Sequence, residues 1–238
     1  MGMPPGLRGG GDVGMDVMIV AAWMAGAYLL GSIPFGWLLG KARGVDLREH
    51  GSLNIGATNC WRVCGWPYGL AAFVLDVAKG FFPVWLTVGW FGLYFSPFHR
   101  TDWADDKIYW LVVVLTAAAA IAGHVFPVWL KFKGGKAVAT SLGVLLALPM
   151  LGWLALGAFG VWVVVVLITR YVSVASTVAA IAFAAGYLWL ERGEAWNTYL
   201  PATVFVVLLV AIVLVRHRTN YARLMKGTEN KLWGGTKT

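Results

Sequence analysis

The residues best suited to chemistry fall in short, donor-rich clusters. The segment Gly51-Ser-Leu-Asn-Ile-Gly-Ala-Thr-Asn-Cys-Trp-Arg62 packs hydroxyl, amide and small residues between Arg48 and Arg62. Gly51 and Gly56 let backbone amides approach a ligand closely, Thr58 or Asn59 can cap a helix beginning near Cys60, and a helix N-terminus favours phosphate. Such a loop suits an anion, though the same residue types also build ordinary turns. A second cluster, Lys131-Phe-Lys-Gly-Gly-Lys136, sets a glycine pair and three lysines before an apolar helix. Lys136, nearest the helix, is the better ligand contact, whereas Lys131 and Lys133 can be loop charges that only fix topology. Leu130 and Ala137 stand where a Walker A loop requires Gly and Ser or Thr, so NTP hydrolysis is disfavoured.

Two further clusters follow. Arg170-Tyr-Val-Ser-Val-Ala-Ser-Thr177 places Ser173 and Ser176 three apart on one helical face. Serines also mediate helix packing in membranes. Arg216-His-Arg-Thr-Asn220 offers several donors to an oxyanion at the end of an apolar run. Asp76 and Lys79 share a helical face at membrane depth and read as a structural or gating pair. His124 either lines the site or caps a neighbouring carbonyl. No histidine is followed by Asp in a His-x4-Asp pair, because the matching positions are Ile55, Ala104, Trp129 and Ala222. Cys60 and Cys64 are assigned to packing, and no metal-ligand spacing or cofactor motif is present.

The elements that must position these residues are membrane helices. The 238 residues are 59% hydrophobic and only 13% charged, with a mean hydropathy of +0.71, which a soluble domain does not carry. Apolar runs at about 16–40, 66–92, 108–130, 137–150, 151–168, 172–190 and 198–215 predict seven spans. The stretch from Val138 to Ile168 is too long for one comfortable crossing and is divided near Pro149. With seven spans, 14 of the 19 Lys and Arg gather on one side and four (Arg8, Arg100, Lys107, Arg192) on the other. The positive-inside rule makes the first side cytoplasmic, giving N-out and C-in. All the donor clusters then face the cytoplasm. Trp85, Trp90, Trp103, Trp110, Trp189 and Trp196 mark the outer ends, and Trp61, Trp66 and Trp129 the inner ones. The expected organisation is a disordered extracytoplasmic leader (1–15), one polytopic all-α membrane domain (16–230) and a flexible cytoplasmic tail (231–238). The net charge of +8 is explained by this asymmetry rather than by nucleic acid.

Taken in order, seven motifs carry a resemblance over about residues 22–230. They are Gly31-Ser-Ile-Pro-Phe-Gly36, Gly51 to Asn59, Leu75-Asp-x-x-Lys-Gly80, Gly123-His124, Phe132-Lys-Gly-Gly-Lys136, Arg170-Tyr-Val-Ser173 with Ser176, and His217-Arg-x-Asn220. The chain resembles the bacterial membrane acyl-phosphate:glycerol-3-phosphate acyltransferases of the PlsY family. The resemblance implies a seven-helix bundle in the cytoplasmic (inner) membrane. It implies acyl transfer from acyl phosphate to the 1-hydroxyl of glycerol 3-phosphate, yielding lysophosphatidate and phosphate, with no cofactor. The family's substrate contacts fall on Ser52, Asn54, Thr58, Asn59, Arg62, Lys136, Ser176, His217 and Asn220, with His217, Lys136 and Asn220 as catalytic residues. Lys133, Arg170 and His124 are adjacent candidates. The expected partners are the two substrates and membrane lipid, with a monomer as the working unit.

Two residues depart from the family pattern. Leu53 and Ala137 stand where Gly is usual, and neither is expected to need a positive φ. Because acyl phosphate is already activated, positioning and oxyanion stabilisation suffice for chemistry. The hydroxyl proton can pass to a phosphate oxygen of the substrate, with His217 as the alternative base. The competing readings are an organophosphate transporter, which would need polar lining through to the outer face, and a structural membrane protein, which leaves the Gly-Ser-Asn-Thr loop unexplained.

Overall fold

The computed structural model describes residues 13–91, 107–193, 195–196 and 200–234. Most of the expected leader and of the acidic segment 93–107 lies outside the described residues. All the regular elements described are helical. They are α1 (Val13–Ser32), α2 (Phe35–Ala42), α3 (Ala57–Cys64), α4 (Trp66–Leu86, continued by a π-turn Thr87–Phe91), α5 (Lys107–Val125), α6 (Val138–Ala147), α7 (Gly152–Thr169), α8 (Val172–Leu190), α9 (Leu200–Arg216) and α10 (Arg218–Met225).

Among the described residues five helical stretches are long and apolar enough to cross a membrane: Met18–Ala42, Trp66–Gly89, Trp110–Leu130, Gly152–Thr169 and Val172–Leu190. A sixth arises if α9 and α10, bent by 46° at His217, count together. The expected division near Pro149 is present, with α6 ending at Ala147 and α7 beginning at Gly152. At ten residues, α6 is about 15 Å long, roughly half a bilayer core. The first apolar run is broken at Ile33-Pro34, where proline cannot continue the α1 hydrogen-bond ladder.

Small residues set the closest helix approaches. On α1 and α5, Gly31 faces the Ala120 carbonyl and Gly123 faces that of Tyr28; on α4 and α6, Gly80 faces Thr140 and Gly143 faces Val77. A Cβ at any of these glycines would lie 1.9 to 2.2 Å from the facing oxygen. In lipid, where apolar side chains gain little by leaving their surroundings, such backbone contact drives association. Val113, Val144 and Val206 fill the core where α5, α6 and α9 meet. Cys60 packs with Leu47 and Ala72, and burial pushes its thiol up to about 12.

The backbone departs from expectation at the two unusual positions. Leu53 has φ 61° and Ala137 φ 61°, both left-handed. Leu53 closes the turn in which its amide donates to the His50 carbonyl, and Ala137 turns the chain into α6. A left-handed residue with a Cβ costs about 1–2 kcal/mol. Leu53 is 61% exposed and loses little on truncation. Leu53→Gly is therefore expected to stabilise the protein by about 1 kcal/mol, raising the melting midpoint in detergent by roughly 2–4 °C. Ala137 is 1% exposed, so Ala137→Gly also forfeits methyl burial of about 0.8 kcal/mol and is expected to be near neutral. Thermal unfolding of both variants checks the difference.

Candidate active site

The first motif is a loop organised around one amide. Asn59, 1% exposed in the first turn of α3, donates from Nδ2 to the carbonyls of Leu47 (3.1 Å), His50 (3.0 Å) and Asn54 (2.9 Å). Its Oδ1 accepts from the Ser52 amide at 2.8 Å. The helix cap is Gly56, without a side-chain cap bond, so neither Thr58 nor Asn59 caps α3. Asn59 lies inside the helix and folds back over the preceding loop. Asn54 Oδ1 accepts from the Gly56 amide at 2.9 Å, tightening the turn into α3. Asp46 braces the loop's other end by accepting from the Arg48 amide and guanidinium, the Trp37 indole and Lys41. The Arg48 guanidinium holds its carboxyl far below the usual carboxylate range. Ser52, Asn54 and Thr58 are thereby presented along one wall of a cavity.

A second group of lining residues carries charge. Val125 and His124 accept from the amides of Gly134 and Gly135, and Arg216 donates to both glycine carbonyls, at 2.7 Å to Gly134 and 2.8 Å to Gly135. This seats Lys136, whose Nζ donates to Asn220 Oδ1. Asn220 Nδ2 in turn donates to Glu229 at 2.6 Å, and Glu229 also accepts from Ser173 (3.1 Å) and Arg223 (2.7 Å). Burial pulls the Lys136 ammonium down to about 8, with Glu229 opposing and Arg223, Arg62 and Arg216 adding to the shift. His217, 2% exposed at the α9–α10 bend, has Nδ1 2.7 Å from the Val213 carbonyl. A carbonyl can only accept, so Nδ1 carries the proton and neutral His217 keeps its lone pair on Nε2.

Beyond these two groups the cavity continues into an apolar limb. Leu142, Leu145, Ala155, Phe183, Leu209 and Val213 line it. From His217 down to Leu209 is about 12 Å of helix. Phe73 stacks on Phe159 at 5.9 Å and Phe159 on Trp162 at 5.8 Å along one side. The Trp162 indole donates to Ser176 at 3.1 Å, which orients that hydroxyl.

Ser52, Asn54, Thr58, Asn59, Arg62, Lys136, Ser176, His217, Asn220 and His124 all line this cavity. Lys133 and Arg170 do not. Lys133 is exposed, and Arg170 caps α7 with φ 62° while its carbonyl accepts from the Leu232 amide at 2.8 Å. Two of the lining residues have their polar groups engaged in ways the sequence did not reveal. Asn59 is consumed by its own loop, and Arg62 donates to the carbonyls of Lys231 (3.0 Å) and Asn230 (2.8 Å). Lys231 and Leu232, in the segment read as a flexible tail, thus pack against the bundle, with Leu232 buried beside Val166 and Ala175. Arg216, expected as an oxyanion donor, instead holds the Gly134 and Gly135 carbonyls, and the sequence alone assigns no role to Glu229 or Arg223. Glu229 had a signal, being the lone acidic residue after Glu194 in a strongly basic segment.

Fold and site together define a multi-pass helical membrane protein that brings donors for a small anion to the head of an apolar channel. The profile of the family described as "Glycerol-3-phosphate acyltransferase" matches residues 21–227. The glycerol-3-phosphate acyltransferase of Trichlorobacter lovleyi is 41% identical over 209 residues, covering 88% of this chain and 95% of that protein. That of Thermosynechococcus vestitus is 44% identical, covering 87% and 92%. Among solved structures, PlsY, an integral membrane glycerol 3-phosphate acyltransferase, in its glycerol 3-phosphate form superposes with a TM-score of 0.76. The match is at 38% identity, over 91% of this chain and 96% of that one. PlsY in a lysophosphatidic acid form matches with a TM-score of 0.72 at 37% identity, over 90% and 95%. The chain belongs to the glycerol-3-phosphate acyltransferase family.

Proposed function

We propose that this chain transfers a fatty acyl group from acyl phosphate to the 1-hydroxyl of glycerol 3-phosphate, giving lysophosphatidate and inorganic phosphate. The observation that carries this reading is the meeting, in one cavity, of Lys136, Arg62, His217, Asn220 and Ser176 with an apolar limb. Two phosphate-bearing substrates need the first, and an acyl tail needs the second. A guanidinium has five donors, so Arg62 keeps others for substrate while two hold the C-terminal segment. Ser52, Asn54 and Thr58 line the same cavity as Lys136 and are assigned to the glycerol phosphate.

In the reaction the glycerol oxygen attacks the acyl carbonyl carbon and the bond from that carbon to the phosphate oxygen breaks. The hydroxyl proton passes to a phosphate oxygen of glycerol 3-phosphate, and inorganic phosphate leaves. Lys136 and Asn220 stabilise the charge that develops on oxygen. His217 Nε2, bearing a lone pair inside the cavity, is the competing acceptor for the proton. His217→Gln separates the two routes: abolished turnover with substrate binding intact would assign the proton to the histidine.

The charge asymmetry of the loops supports seven crossings with N-out, C-in topology and a site on the cytoplasmic face of the bacterial inner membrane. The working unit is taken to be the monomer. The test is phosphate release from acyl phosphate by the purified protein, with and without glycerol 3-phosphate. Release that depends on the acceptor is expected. Release without acceptor, or none from folded protein, would overturn the reading and favour anion flux across liposomes.

A further inference from the structure

One group of buried polar residues has no place in the reaction described above. Asp76 lines the cavity, and its Oδ1 lies 2.7 Å from Lys79 Nζ, with both side chains at most 3% exposed. Lys79 also donates to the Ile33 carbonyl at 2.7 Å, at the break where Pro34 interrupts the first span. Asp76 Oδ1 faces His124 Nδ1 at 3.7 Å. The other edge of the His124 ring lies on Gly135, where an added Cβ would sit 2.1 Å from Nε2. Gly135 is also held by its amide on the His124 carbonyl and by its own carbonyl on Arg216. The next residue is Lys136.

We propose that Asp76, Lys79 and His124 are a positioning unit for the phosphate-clamp loop: the ion pair fixes the His124 ring, and the ring sets Gly135 and therefore Lys136. A buried ion pair is costly in lipid and weak evidence of stability, which leaves its geometric consequence as the reason to have it. His124 has two nitrogens on different edges, so one side chain stands beside the carboxylate, at 3.7 Å and in electrostatic contact without a hydrogen bond, while its other edge rests on the loop glycine. Gly135 is the only residue type that fits beneath the ring. Arg216 and the His124 carbonyl hold the backbone of Gly134 and Gly135, and the ring packed on the Gly135 Cα sets how that peptide turns into Lys136. This inference rests on the acyltransferase reading and adds to it the residues that hold its clamp in place.

The test is a set of steady-state measurements on His124→Ala, Gly135→Ala and the double variant, alongside Lys136→Met. Displacing a positioned group by about 1 Å costs on the order of a hundredfold at most. His124→Ala is expected to lower kcat/KM for glycerol 3-phosphate roughly tenfold, with little change in KM for acyl phosphate. Gly135→Ala alone forces its methyl against the ring and is expected to do the same or worse. In the double variant the methyl has room, and its kcat/KM is expected to match that of His124→Ala. Losses that multiply, or an unchanged kcat/KM in His124→Ala, overturn the proposal. Asp76→Asn/Lys79→Met removes both buried charges together and is expected to lower the same kcat/KM, so it carries the test if His124→Ala does not accumulate. An unchanged kcat/KM there overturns the proposal as well. If Lys136→Met itself leaves the kinetics of glycerol 3-phosphate unaltered, the clamp reading falls and this inference with it.

Discussion

Lys136→Met is expected to lower kcat/KM for glycerol 3-phosphate by roughly 10²- to 10³-fold, the loss seen when one preorganised donor to a developing oxyanion is removed. Methionine keeps most of the side-chain volume, so the loop and α6 stay packed while the ammonium disappears. The same residue sets a pH dependence. Burial lowers the Lys136 ammonium to about 8, so the charged form is complete well below that pH and is lost as pH rises through it. The pH profile of kcat/KM reports groups of the free enzyme. Activity toward glycerol 3-phosphate is therefore expected to decline above about pH 8. In Lys136→Arg the guanidinium stays charged throughout, and the alkaline decline should move upward even if the absolute rate is lower. An alkaline limb that stays in place in Lys136→Arg would assign it to another group.

The second large effect is Asn59→Asp. The two side chains are nearly the same size, and Asp still accepts from the Ser52 amide. The exchange, however, replaces one amino group, donor to the Leu47, His50 and Asn54 carbonyls, with an acceptor facing all three oxygens. Each buried group left without its partner costs about 1–3 kcal/mol, and a buried network broken on one side reaches about 3–5 kcal/mol. Loss of accumulation or a steep fall in melting midpoint is expected, with activity lost in parallel. Asn54→Asp is the control. The Asn54 side chain accepts from the Gly56 amide, a role that Asp fills equally well, so a cost under about 1 kcal/mol is expected. Similar stabilities for the two variants would remove Asn59 from its place at the centre of the loop.

Helix positions and the donor clusters were legible in the sequence because both are local signals. A run such as 172–190 carries no charged residue and is mostly apolar, and α8 spans Val172–Leu190. The excess length from Val138 to Ile168 likewise announced its own division. What the sequence hid depends on partners distant along the chain. Asn59 and Arg62 have the chemistry of ligand contacts, yet one is satisfied by carbonyls within its own loop and the other by carbonyls some 168 residues away. The left-handed turns at Leu53 and Ala137 were hidden for another reason. Side-chain type reports φ only as a preference, and a well-anchored loop overrides it. Pro34 was a readable break signal, but hydropathy averaged over the whole first run conceals it. Lys133 and Arg170 show the reverse case, in which a basic residue sits beside a legible motif and yet lies outside the cavity lining.

The contacts of Arg62 with Asn230 and Lys231 also bear on how the molecule is made. Arg62 and the loop before it precede most of the helices, whereas Glu229, which lines the cavity, and Leu232, buried beside Val166 and Ala175, are among the last residues described. A nascent chain inserting one hairpin at a time can complete its helices early, but it holds an unfinished anion trap until synthesis has passed residue 232. The cavity is therefore complete only once residues 229–232 have been made and have docked, and a bundle inserted without them has that side of its polar network open.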